Sequence, residues 1–206
     1  MKGELVAGRY RLVEQIGEGA TGTVYRAVSE PGSELVAVKI LRQQAGAQAG
    51  RRFEREAVAV GKLEHPNLVA LRDFGALDDG RPYLVMDLVE GRSLDHVLAD
   101  GGALPPARAL GILAHVLRGL ERAHESGVVH RDLKPADIMV VDRDGDADTA
   151  IIVDFGAAAL LGAAGASAEQ LTSAGAGLGT PAYMAPERLD PEHGPVGPAG
   201  ETTAPA

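Results

Sequence analysis

Apolar and polar positions alternate along Tyr10–Ile16, which predicts a strand, and Thr23–Val28 prefers strand as well. Glu34–Leu41 predicts a third strand, in which Ala37 and Lys39, two positions apart, share a face. Over Ala47–Leu63 the period changes to that of a helix. Phe53, Glu56, Val60 and Leu63 fall on one stripe, with Glu56 a carboxylate on an otherwise apolar face. His65-Pro66-Asn67 breaks this helix, and Leu68–Phe74 and Pro82–Leu88 predict two further strands. Ser93 is placed to cap a short helix running to Leu98. Pro105–Glu125 predicts a longer helix with Leu110, Leu113, Val116/Leu117, Leu120 and His124 as its apolar stripe. Ile138–Val141 and Ala150–Val153 predict a hairpin across the turn-forming run Asp142–Thr149. The pattern is that of an α+β chain: an antiparallel β half with one helix, then a helical half, jointed at Met86–Gly91.

The density of charge in His130-Arg131-Asp132-Leu133-Lys134-Pro135-Ala136-Asp137, between the apolar runs Val128-Val129 and Ile138–Val141, marks the chemistry. Pro135 favours an irregular loop that presents Asp132, Lys134 and Asp137 at the edge of a core. Hairpin pairing brings Asp137 beside Asp154. Two carboxylates at ~4 Å, at an effective dielectric near 20, repel by about 4 kcal/mol. A shared divalent cation relieves this, and Mg²⁺ held by one or two carboxylates plus substrate phosphates is the usual arrangement. Lys39 is the expected partner of Glu56, the alternative being Arg52 one helical turn back. Small Ala37 leaves room for a flat ligand beside Lys39.

The glycines of Gly17-Glu18-Gly19-Ala20-Thr21-Gly22 leave several readings open. A dinucleotide fold requires a helix to follow, but strand-forming residues do, and the Gly-Lys-Ser/Thr of a P-loop is absent. A glycine-rich hairpin whose amides approach phosphates fits, as does an ordinary glycine turn.

Bulk properties narrow the class. The 206 residues, 45% hydrophobic, suffice for one domain or two small lobes around a cleft. A net charge of −9 argues against nucleic acid as the main partner. The chain has no cysteine, no apolar run near the ~18 residues that span a membrane, and no signal-peptide pattern at Met1–Glu4, so a cytoplasmic protein is expected. The aspartates at 142, 144, 146 and 148 do not make a calcium loop, since the glycine is at the fourth position rather than the sixth and Val153 stands where a bidentate Glu belongs. The histidines at 65, 96, 115, 124 and 193 lack metal-binding spacing.

Taken together, the glycine-rich loop, the lysine strand, His-Arg-Asp-Leu-Lys-Pro, Asp154-Phe155-Gly156 and Ala185-Pro186-Glu187 resemble, over roughly residues 8–190, the catalytic domain of serine/threonine protein kinases of the bacterial eukaryotic-like branch. The resemblance implies a bilobal fold, with an ATP-binding N-lobe and hinge over residues 1–89, a partial C-lobe over 90–190 and a disordered tail over 191–206. It implies ATP and Mg²⁺ as cofactors. Gly17, Gly19 and Gly22 would cover the phosphates, with Val24 and Ala37 above the adenine and Met139 below, and Ile16 would belong to the same nucleotide site. Lys39 would hold the α/β-phosphates and pair with Glu56. Met86 would be the gatekeeper, with the backbones of Asp87 and Val89 at the adenine edge. Asp132 would accept the substrate hydroxyl's proton, Lys134 would offset charge on the moving phosphoryl group, and Asp137 and Asp154 would bind metal.

Protein substrates with Ser/Thr acceptors are implied, as is self-phosphorylation in the 157–180 loop, with Ser167, Thr172 and Ser173 as candidate sites that Arg131 would engage. Thr180 would brace Asp132 and Lys134. Two departures stand out. Asp137 replaces the family's Asn, which predicts slower transfer or an altered metal preference. The family continues past Ala-Pro-Glu into further helices where this chain stops, with Glu201 near the place of an anchoring Asp, so the second lobe is expected to be marginal alone. A nucleotide-binding pseudokinase and an inactive kinase fragment are the alternative readings.

Overall fold

A computed structural model describes residues 1–19, 21–42, 47–143 and 145–154, together with Tyr183. Six strands, β1 (Leu5–Val6), β2 (Tyr10–Gly19), β3 (Gly22–Ser29), β4 (Glu34–Leu41), β5 (Leu71–Ala76) and β6 (Pro82–Asp87), form one antiparallel sheet in the order β1-β2-β3-β4-β6-β5. Strand β4 lies inside this sheet, and both of its faces are buried. Val36, Val38 and Ile40 join Val6, Tyr10, Leu12, Ala27, Tyr83 and Val85 in one core layer. Ala37 and Leu41 face the other way and pack with Phe53 and Ala57 of α1 (Ala47–Val60), together with Leu84 and Met86. The Phe53 and Phe74 rings meet edge to face, with centroids 6.1 Å apart.

The remainder carries α2 (Leu94–Gly101), α3 (Pro106–Glu125), a 3-10 turn at Pro135–Asp137, and a second antiparallel sheet of β7 (Arg92–Ser93), β8 (Ile138–Arg143) and β9 (Asp146–Ile152). Residues 88–91 connect the two sheets, within the predicted joint. A second connection was not legible as one. The Ile152 N–H donates to the Asn67 carbonyl at 2.9 Å, and the Val69 N–H donates to the Ile152 carbonyl at 3.0 Å. Buried Asn67 also donates through Nδ2 to the Ala150 carbonyl at 2.8 Å. What reads as a helix breaker therefore ties the first sheet's connector to the second sheet.

Three expectations are corrected. The buried face of α3 consists of Ile112, Val116, Gly119, Leu120 and Ala123, whereas Leu110, Leu113 and Leu117 are 65%, 50% and 41% exposed. Gly119 explains the choice of face. A Cβ there would lie 3.1 Å from both the Asn67 carbonyl oxygen and Leu68 Cδ2, so the helix can approach closely only along its small-residue side. Ser93 holds the N-cap position of α2 without a side-chain cap, because its hydroxyl is 2.6 Å from His96 Nδ1. The predicted hairpin is longer than expected, with Ile138 paired to Ile152 and Gly145 in the left-handed conformation at φ 85°. Asp148, read as part of a turn, lies on a strand and receives Arg108 in a two-pronged pair at 2.8–3.1 Å, fastening the start of α3 to β9.

Candidate active site

The roof of the site follows from the β2–β3 hairpin, whose tip pairs Gly19 with Gly22 and which continues as strand on both sides. No helix starts there, so the dinucleotide reading falls. Beneath it lies a cleft of about 760 Å³, lined by Ile16, Gly17, Val24, Ala37 and Lys39 from the first sheet, by Met86, Asp87 and Val89 at the joint, and by Met139, Asp137 and Asp154 on the opposite wall. Gly19 and Gly22 do not line it. Gly22 is required for a different reason: at φ 158° its missing Cβ would stand 2.2 Å from the Ile40 carbonyl oxygen. Sequence reasoning missed Arg26, Glu90, Ser93 and His96, which also line the cleft. Their types and spacing carry no signal, because the fold alone gathers them.

Lys39 is 3% exposed, and its Nζ donates to both carboxylate oxygens of Asp154. The expected Lys39–Glu56 pair is therefore not formed. Glu56 Oε1 is 3.8 Å from Arg52 Nε, the partner that helical spacing offers, and its buried Oε2 has no hydrogen-bond partner among the described residues. Burial raises the Glu56 carboxyl above its ordinary range, against the opposing charges of Arg131, Arg52 and Arg55. Asp154 takes Lys39 because its backbone, left-handed at φ 63°, brings the carboxylate to the lysine where β9 ends.

The charged loop converges on the same wall. Lys134 Nζ donates to Asp132 Oδ2 at 2.9 Å and lies 3.1 Å from Asp137 Oδ2. Burial works against the Lys134 ammonium, but the Asp137 and Asp132 carboxylates outweigh it and hold its pKa above the ordinary value. Arg131 is left-handed at φ 72°, and the Asp132 N–H donates to Nδ1 of buried His130 at 3.4 Å. Asp132, Lys134 and Glu56 do not line the cleft themselves, and Lys134 reaches it through Asp137. The expected proximity of Asp137 and Asp154 is present: the Val153 N–H donates to the Asp137 carbonyl at 2.8 Å, and both aspartates line the cleft. Burial pushes the Asp137 carboxyl up to about 7, with Lys134 opposing and Asp154 adding to the rise.

Two facing carboxylates fit a divalent cation that takes its other ligands from phosphates and water. Buried Asp137 Oδ2 faces the Lys134 ammonium at 3.1 Å, so a cation bound there would share this oxygen with the lysine. Among the described residues no group of three or more His, Cys, Asp or Glu could hold a metal without such outside ligands. The loop around Ser167, Thr172, Ser173 and Thr180, Phe155 and Gly156, the Ala-Pro-Glu run, Glu201 and the 191–206 tail lie outside the described residues.

A glycine hairpin over a cleft, with a buried lysine and two carboxylates at its inner end and a third carboxylate held by a second lysine nearby, defines a nucleotide-dependent phosphoryl-transfer fold. The family model for the protein kinase domain matches residues 10–200, and the chain belongs to that family. Its relatives include the serine/threonine-protein kinase pkn3 of Myxococcus xanthus, 38% identical over 188 residues, which are 90% of this chain and 34% of that protein. PknL of Mycobacterium tuberculosis is 40% identical over 192 residues, 92% of this chain and 45% of PknL. The chain thus spans less than half the length of these curated relatives. Among solved structures, the Mycobacterium tuberculosis PknI kinase domain superposes with a TM-score of 0.73 at 27% identity, covering 98% of this chain and 71% of that one. Rad53 1-466 in complex with AMP-PNP gives a TM-score of 0.69 at 29% identity, over 90% of this chain and 43% of that one. No helix among the described residues is long and apolar enough to cross a membrane.

Proposed function

We propose that this chain is the catalytic region of a protein serine/threonine kinase, which transfers the γ-phosphoryl group of ATP to Ser and Thr hydroxyls of proteins, its own 157–180 loop included. The observation that carries the reading is the convergence of Lys39, Asp154, Asp137, Lys134 and Asp132 at one end of the glycine-roofed cleft. Ile16, Val24, Ala37 and Met139 supply apolar walls suited to a flat base, and the hinge main chain at Asp87 and Val89 is its hydrogen-bonding edge. Asp137 and Asp154 would hold Mg²⁺, which when bound neutralises charge on the phosphates. Lys39 binds phosphate oxygens once released from Asp154. Asp132 receives the proton of the attacking hydroxyl, and Lys134 keeps that carboxylate oriented at 2.9 Å while offering positive charge to the transferred group.

Transfer of labelled phosphate from Mg-ATP to a general protein substrate, followed by phosphoamino-acid analysis, tests the reading. Label on Ser and Thr that is abolished by Asp132→Asn supports it, whereas label that persists in that variant overturns it. A second reading, nucleotide binding without transfer, is favoured by Asp137 standing where the family has Asn. Asp137→Asn should then restore transfer or change its metal dependence, and if neither moves, the extra charge has no catalytic consequence.

A further inference from the structure

The hinge is held from outside the cleft by a residue that the kinase reading leaves unused. Strand β5 pairs Leu71 with Met86 and Asp73 with Val85, so Arg72 is the extra residue of a bulge, opposite the point where β6 turns into the hinge. Bulges re-aim side chains, and this one aims Arg72 at the next hinge residue. Arg72 Nε donates to Asp87 Oδ1, and its other arm lies 4.0 Å from Glu34 Oε1 at the start of β4. The Asp87 N–H donates to the Ala70 carbonyl at 3.1 Å, so both the side chain and the amide of Asp87 are tied to the β5 side. Arg72 does not line the 760 Å³ cleft; with Glu34 and Asp87 it lines a separate groove of about 400 Å³, whereas Asp87 lines both.

We propose that Arg72 is a positioning residue for nucleotide binding: by clamping the Asp87 side chain from the bulge in β5, it sets the hinge main chain against which the base docks. This rests on the reading of the cleft as an ATP site. Arg72 is 52% and Asp87 39% exposed, and pairs so open to water add little to global stability. The consequence of the clamp is therefore local: the placement of the hinge main chain at Asp87.

Isothermal titration of the whole chain with Mg-ATP tests this, with thermal unfolding of each nucleotide-free variant alongside. Arg72→Gln and Asp87→Asn should each weaken Mg-ATP by about 5-fold, at the low end of coupling between separated sites. The double variant should be no weaker than either single one, and nucleotide-free melting points should stay close to that of the wild type. Arg72→Lys should recover only part of the affinity, because an ammonium lacks the planar fork. Arg81→Gln is the control: it removes a comparable exposed pair with Asp79, at 2.7 Å, away from the cleft, and should leave affinity unchanged. Wild-type affinity in Arg72→Gln overturns the proposal, as do additive losses in the double variant or a fall in melting point that tracks the fall in affinity. A wild-type chain that binds no Mg-ATP overturns the kinase reading itself, and this proposal with it.

Discussion

Asp137→Asn replaces a carboxylate that is 6% exposed and whose pKa is pushed up to about 7 by burial, from an ordinary value of 3.8. An unfolded chain restores the ordinary value. Below pH 3.8 the carboxyl is protonated in both states and the site costs nothing extra. Between pH 4 and 7 the folded state holds the proton that the unfolded state has released, so stability falls as pH rises, and above 7 the full penalty is present. Moving a pKa from 3.8 to about 7, at 1.36 kcal/mol per pH unit, corresponds to about 4 kcal/mol. Lys134 at 3.1 Å is already included in that figure, since its charge opposes the rise. Against a typical domain stability of ~5–15 kcal/mol this is a readable share. Asn has nearly the same shape and no charge to bury. Urea unfolding of both proteins with EDTA, at pH values from 4 to 8, checks the expectation. The stability of Asp137→Asn relative to wild type should rise through pH 4–7 by up to about 4 kcal/mol and then level off. A difference that is constant across the range would refute the argument, because any pH-independent effect of the amide appears equally at every pH.

Three further outcomes are expected. Asn67→Ala leaves the Ala150 carbonyl without its 2.8 Å donor inside the core and should cost about 1–3 kcal/mol in urea unfolding. Gly22→Ala places a Cβ 2.2 Å from the Ile40 carbonyl oxygen, which must displace β3 from β4; a melting point lowered by several degrees checks it, and Gly19→Ala, with open space around it, should melt like the wild type. On α3, Ile112→Ala should cost about 2–5 kcal/mol and Leu110→Ala within about 0.5 kcal/mol, because Ile112 is 3% and Leu110 65% exposed; the opposite order would mean that the helix buries its other face.

The chain's own pattern carried most of the first sheet. The strand Glu34–Leu41 was legible to the residue, because its run of apolar, largely β-branched residues is too short for a buried helix, and the hairpin that sets Asp137 against Asp154 was legible in its pairing though not in its length. The cleft residues Ile16, Gly17, Val24, Ala37, Lys39, Met86, Asp87, Val89 and Met139 were nameable through the resemblance to the protein kinase family, and all of them line the cleft. Two matters needed the third dimension. The expected stripe of helix α3 shares Val116 and Leu120 with its buried face, and the close approach at Gly119 turns the helix away from Leu110, Leu113 and Leu117. Lys39 was expected to pair with Glu56 and pairs with Asp154. Which of them it binds depends on the placement of α1 and on the left-handed turn at Asp154, which side-chain periodicity does not encode. Periodicity and motif spacing are local properties that a sequence states directly, whereas the partner of a buried charge is decided by which elements pack within a few ångströms of it.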